Sequence, residues 1–202
     1  MLKLFKTPFV FRWIFYQRTW GFSDKNAVYL TFDDGPTAEL SPWILDYLKK
    51  EEVKATFFCV GENAKNNPGI IEKIKLSGHR LGNHTMRHEK ATNYSKKDFI
   101  DSINQADSYL HSNLFRPPYG RMPFSFSKAI ASRYKIIMWS WLTYDYDETV
   151  KIETILKKAK NQIKGGDIIV LHDNIKSEAR LKEILPNLIK IIKDKGLEFK
   201  VI

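Results

Sequence analysis

From Asp24 onward the chain alternates short β-branched or aromatic runs with longer segments of helical period, and this alternation limits the fold more than any other feature. The strand-like runs cover 27–32, 55–60, 80–83, 114–116, 135–139, 167–171 and 198–202. Helices are predicted between them. One covers 41–52, with Ser41 as its cap and Pro42 at the first helical position. Others cover 70–76 and 96–110, the latter preceded by Ser95 with Asp98 three residues on. Three more cover 125–132, 152–163 and 179–195, and in the last Pro186 should kink the helix or mark its true start. Parallel neighbours need crossover connections, so seven such runs separated by helices predict an α/β fold with a parallel sheet. An open doubly wound sheet and a closed barrel both satisfy the pattern. At 202 residues the chain is one domain, 25–202, with an N-terminal extension, 1–24.

The polar residues favour a barrel. Asp33-Asp34-Gly35-Pro36 follow the first run, His84-Thr85-Met86-Arg87-His88 the third and Arg116-Pro117-Pro118-Tyr119-Gly120 the fourth. Tyr144-Asp145-Tyr146-Asp147 follow the fifth, and His172-Asp173 the sixth. Active sites of α/β proteins form at the carboxyl ends of strands. Five strands delivering polar residues to one rim suit a barrel better than the single crevice of an open sheet.

His84 and His88 are spaced i, i+4, which on one helical turn places both imidazoles on the same face. Imidazoles so placed can share a metal with a third ligand from elsewhere, and Asp34 is the natural candidate. Two histidines and one carboxylate with open positions suit catalytic zinc, but also non-haem iron. Adjacent carboxylates repel, so one of Asp33 and Asp34 needs a cation. With Asp34 on a metal, Asp33 stays free beside it to accept a proton. The plainer account of Asp33-Asp34-Gly35-Pro36 is a polar turn.

Arg116 is the only charged residue between Leu114 and Gly120, and a salt bridge to Asp33 would orient that base. His172 ends the run Ile168-Ile169-Val170-Leu171 and should sit at the sheet rim. An ordinary pKa near ~6.5 suits it to proton donation, more so if a carboxylate such as Asp145 raises it. His79 and His111 lack comparable context.

Together these segments resemble the polysaccharide deacetylase family, the NodB homology domain of carbohydrate esterase family 4. Thr31-Phe32-Asp33-Asp34-Gly35-Pro36 matches its first motif, His84-Thr85-Met86-Arg87-His88 its second (H-[ST]-x-x-H) and Arg116-Pro117-Pro118-Tyr119 its third. The likeness covers about Ala27 to Ile202. It implies a distorted (β/α)7 barrel with Asp33 as catalytic base, and with Asp34, His84 and His88 holding a divalent metal. The metal is usually zinc, with cobalt, nickel or iron as alternatives. It further implies that Arg116 orients Asp33, that the Tyr119 N–H beside Pro118 stabilises an oxyanion, and that His172 is the general acid tuned by Asp145. Two motifs depart from the pattern. Where many members read D-x-x-D-W, this chain reads Leu142-Thr143-Tyr144-Asp145-Tyr146, and Val170 replaces the leucine of L-x-H. Tyr146 and Val170 thereby alter walls of the acyl pocket.

The implied activity is removal of acetyl groups from N-acetylglucosamine-containing oligo- or polysaccharide. The residues do not separate this from O-acetyl ester hydrolysis. A third reading, from another class, is a non-catalytic glycan-binding module. Lysine and arginine outnumber aspartate and glutamate 33 to 23, a net +10 that favours anionic partners such as acidic glycans or lipids. Nucleic-acid binding would explain the charge and nothing else, so no specific nucleic acid is expected. A single cysteine, Cys59, excludes a disulfide framework and a Cys-based zinc site, and reads as a core residue.

Residues 1–22 are rich in aromatic and basic side chains. Arg12 and Arg18 interrupt any signal-like apolar run, and no stretch approaches the ~20 apolar residues of a spanning helix. Two readings follow: an extension that packs its rings on the domain, or a peripheral anchor with rings in the headgroup layer. The expected location is the cytoplasm or a membrane surface. The sequence does not fix an oligomeric state.

Overall fold

The computed structural model describes residues 3–202. In chain order the elements are α1 (Val10–Ile14), β1 (Arg18–Thr19), β2 (Ala27–Asp33), α2 (Leu40–Lys50), β3 (Thr56–Cys59), α3 (Gly61–Asn66), α4 (Pro68–Leu76), β4 (Arg80–Asn83), α5 (Lys96–Leu110), β5 (Leu114–Phe115), α6 (Phe124–Ala131), β6 (Lys135–Ile137), β7 (Trp141–Leu142), α7 (Ile152–Gln162), β8 (Ile168–His172), α8 (Glu178–Asp194) and β9 (Glu198–Phe199). The strands pair in parallel in the order β1-β6-β5-β4-β3-β2-β8-β7, with β9 added to β2. The result is a curled half-barrel wrapped by helices, the distorted α/β barrel expected.

All seven expected strands are present. Central β2 is buried at every position, as a strand covered on both faces must be, which explains its near-continuous apolar run. Two further strands were not anticipated: β1, inside the N-terminal extension, and β7. Each has only two residues, too few to show a period. The unanticipated α3 is six residues long and opens on Gly61, which packs beneath Met86 and Ala106.

Several helix details differ from the sequence reading. α2 starts at Leu40, so Ser41 is not its cap; its hydroxyl instead accepts the Thr37 N–H and donates to Asp173. Pro186 lies inside an unbroken α8 rather than at its start. α5 covers the predicted residues, and Ser95 caps it by accepting the Asp98 N–H.

The N-terminal segment touches both ends of the sheet. Lys6 bridges antiparallel to Trp141 on β7, Thr7 donates to the Ser140 carbonyl and Leu142 donates to the Phe5 carbonyl. Phe5 is buried against the rings of Trp141 and Tyr144, and Lys6 pairs with the buried Asp167. Further along the same segment β1 pairs with β6, and the Arg18 guanidinium donates to the Met122 carbonyl. Residues 3–19 therefore strap the two free edges together and satisfy backbone groups that each edge would otherwise leave open.

Candidate active site

Asp33 ends β2, and Asp34 turns the chain through the left-handed region at φ 77°. The next residue must be glycine, because a Cβ on Gly35 would lie 2.1 Å from Asp173 Oδ2. Asp173 is fully buried; its carboxylate accepts from the hydroxyls of Thr37 (2.9 Å) and Ser41 (2.5 Å), and its N–H donates to the Asp33 carbonyl (2.8 Å). The two aspartates thus leave β2 on a loop held from below by the end of β8.

His84 and His88 meet by a different route from the one their spacing predicts. Residues 84–88 form a loop, not a helical turn, with Thr85 and His88 in the left-handed region at φ 66° and 58°. Polar side chains fix that loop. Asn83 accepts the Thr85 N–H, Thr85 accepts the Glu89 N–H, and the Glu89 carboxylate accepts from the Arg87 N–H and the Ser102 hydroxyl. The network turns both rings inward, 5.0 Å apart between centroids.

Asp34 Oδ1 lies 3.2 Å from His88 Nε2 and 3.6 Å from His84 Nε2. One donor atom from each of the three residues falls within 4.8 Å of the others, a spread that a single ion can span. The donor chemistry also fits. His84 Nδ1 lies 2.8 Å from the Arg116 carbonyl, so it carries the proton and leaves the Nε2 lone pair facing Asp34. Burial pushes the His84 pKa down to about 4, keeping the ring neutral as a ligand must be. Burial opposes the Asp34 charge, but the hydrogen bond from His88 and the fields of the neighbouring imidazoles hold its pKa well below the usual carboxylate range. The second oxygen, Oδ2, accepts from the Asn174 amide at 2.7 Å.

Asp33 sits beside this set, held by the buried Arg116 through a 2.6 Å salt bridge. Arg116 is itself fixed by Thr31 Oγ1 (2.8 Å), the Met138 carbonyl (3.0 Å) and the ring of Phe58, 4.0 Å from the guanidinium carbon. Register pairs Asp33 with His172 across β2 and β8. His172 Nδ1 lies 2.7 Å from Asp145 Oδ1, and the His172 N–H donates to Asp145 Oδ2 at the same distance. Burial alone would lower the His172 pKa; the buried carboxylate of Asp145 overrides it and carries the value up to about 9.

Asp33, Asp34, His84, His88 and His172 line one cavity of about 710 Å³, together with Tyr119, Trp139, Leu142, Tyr146, Val170 and Asn174. Such a cavity, with two acids, three imidazoles and apolar walls, is a hydrolytic site in form.

Comparison with known proteins decides the family. The family model described as "Polysaccharide deacetylase" matches residues 22–136. A peptidoglycan-N-acetylglucosamine deacetylase of Bacillus cereus is 34% identical over 179 residues, 83% of this chain and 84% of its own. The chain belongs to the polysaccharide deacetylase family. A chitooligosaccharide deacetylase of Azorhizobium caulinodans is 29% identical, over 74% of this chain and 75% of its own. The crystal structure of the Bc1960 peptidoglycan N-acetylglucosamine deacetylase in complex with 4-naphthalen-1-yl-N-oxidanyl-benzamide superposes with a TM-score of 0.83 at 32% identity, covering 97% of this chain and 95% of that one.

Within this family frame, the chain's own departures fall on the cavity wall. The Tyr146 ring stands edge-on to His172 at 4.8 Å, and its phenol is pushed up to about 12 by burial, so it stays neutral. Val170 and Leu142 lie side by side through β7–β8 pairing. Tyr119 adopts φ 59°, and among the described residues its N–H donates to no protein acceptor. Gly120 follows at φ 64°, where a Cβ would fall 2.3 Å from the Trp139 ring. The sequence reading gave no role to Asp173, Asn174 or Trp139. The first two directly follow His172 at a strand end, and that position was the available signal; Trp139 carried none, because it reads as an ordinary strand aromatic.

Proposed function

We propose that this chain hydrolyses the acetamide of N-acetylglucosamine residues in an oligo- or polysaccharide. The observation that carries the reading is the convergence of Asp34, His84 and His88 within 4.8 Å on the wall of a cavity also lined by Asp33 and His172. The named activities of the relatives supply the substrate class. Asp34 Oδ1 and the Nε2 atoms of His84 and His88 would hold a divalent ion, with zinc the best match to a carboxylate and two neutral imidazoles. When bound, that ion supplies Lewis acidity, lowering the pKa of a coordinated water towards ~7 and polarising the acetyl carbonyl.

The remaining work falls to the chain itself. Asp33, aligned by Arg116, accepts the proton of the attacking water. The Tyr119 N–H, unpartnered and presented by a left-handed backbone, donates to the oxygen that gains charge. His172 Nε2 delivers a proton to the departing amine, which is too basic to leave as an anion, while Asp145 steadies the imidazolium. Tyr146, Val170, Leu142 and Trp139 form the apolar wall around the acetyl methyl.

Acetate release from chitooligosaccharides, peptidoglycan fragments and acetylated xylan tests this, before and after chelation and with zinc restored. Release from the N-acetylated substrates, lost on chelation and regained with zinc, is the expected result. Full activity in the chelated sample overturns the metal role, and release from xylan alone overturns the amide reading.

A further inference from the structure

The strap that closes the barrel carries an apolar surface that catalysis does not use. α1 is apolar at four of its five positions, Arg12 being the exception, and an apolar helix surface is normally a covered one. Here only one side is covered. Phe11, itself 38% exposed, and Phe15 pack on the buried Trp20, with centroids 5.9 and 6.3 Å from it. The opposite side is open: Trp13 is 74% exposed, Tyr16 72%, Phe9 65%, Ile14 56% and Val10 54%. Phe9 and Trp13 lie one turn apart with their rings in contact at 6.4 Å, and Tyr16 meets Phe124, itself half exposed, at 6.5 Å. No helix among the described residues is long and apolar enough to cross a membrane.

We propose that this face inserts Phe9, Val10, Trp13, Ile14 and Tyr16 into the boundary between headgroups and acyl chains of an anionic lipid bilayer. Three observations favour that occupant. Residues 1–22 contain no aspartate or glutamate, and Arg12, its guanidinium 5.8 Å from the centre of the Phe9 ring, stands at the open face, while Lys3 and Lys6 are paired and Arg18 is buried. The whole chain carries +10, so a second copy docking here would bring like charge to like charge, whereas an anionic bilayer brings the opposite sign. The exposed set combines tryptophan and tyrosine with aliphatic residues, the mixture that partitions into a membrane interface. The tip is also held before it meets lipid. Phe5, Lys6 and the Trp141 bridge fix its entry, and β1, Arg18 and Trp20 fix its exit. Insertion then orders little additional chain, so more of the burial free energy appears as binding.

The test is sedimentation of the full chain with vesicles of phosphatidylcholine alone and of phosphatidylcholine with phosphatidylglycerol. Association with the second, weakened by salt, is expected. Phe9→Ser/Trp13→Ser should lower partitioning by about tenfold or more with an unchanged melting transition, and Trp13→Ser alone by a smaller factor. Failure of the intact chain to sediment with the anionic vesicles overturns the proposal. So does equal sedimentation of the double variant, which would show attraction by charge alone. A concentration-dependent dimer in lipid-free solution that the double variant abolishes would also overturn it, because a second copy would then cover the face.

Discussion

His84 and His172 are both largely buried imidazoles on the wall of the same cavity, yet they are set in opposite states. The His84 pKa is pushed down to about 4 and that of His172 up to about 9. Burial lowers both. The difference lies behind each ring: His84 Nδ1 meets the Arg116 carbonyl, whereas His172 Nδ1 meets a buried carboxylate, Asp145. A carbonyl fixes the tautomer without paying back the cost of a buried positive charge, so His84 stays neutral and offers a lone pair. A carboxylate pays it back, so His172 holds a proton. The same residue type is set neutral or protonated according to its partner at the far nitrogen.

Removing each ring gives the largest effects and separates them. His84→Ala should abolish metal binding, read by metal analysis of the purified protein, and with it turnover by about 10³-fold or more. His172→Ala should cost about 10²–10⁴-fold in turnover while the metal content stays at the native level. If both variants lost metal equally, the division of labour between them would fail.

Asp145→Asn attacks the contrast itself. An acid must be protonated to act, so native activity should persist with rising pH until His172 titrates near about 9, and fall above it. With that charge gone, burial is opposed only by the weaker fields of Asp34 and Asp33, and the imidazole pKa falls. The alkaline limb of the pH–rate profile should then move to lower pH, and an unmoved limb would assign it to another group. The smallest effect is expected at Tyr146→Phe. The ring, not the neutral hydroxyl, packs against His172, so turnover should change by about twofold or less while Tyr146→Ala costs more.

Much of this was legible in the residues because it is local. α5 and its Ser95 cap were readable from amphipathic period and one side-chain-to-backbone bond, both internal to a short segment. β2 was readable because burial on both faces leaves an apolar run that ends at Asp33. β1 and β7 were not, since two-residue strands exist only because partners lie beside them. The histidine pair comes together, but not in the way its sequence suggests. Its spacing suggested a helix, but Asn83, Glu89 and Ser102 hold a loop that places two non-glycine residues at positive φ.

The sequence by itself determined the order of the elements and which ionisable residues end up at strand ends, because hydrophobic period and chain order are properties of neighbours along the chain. Only the tertiary structure decided the backbone at the site. Asp34, Thr85, His88, Tyr119 and Tyr144 all occupy the left-handed region, which costs L-residues roughly 1–2 kcal/mol each and which a β-branched or aromatic residue such as Thr85, Tyr119 or Tyr144 does not favour on its own. That cost is met by groups distant in sequence, such as Asp173 under the first loop and Ser102 under the second. A conformation imposed by distant partners leaves no mark in the segment that adopts it.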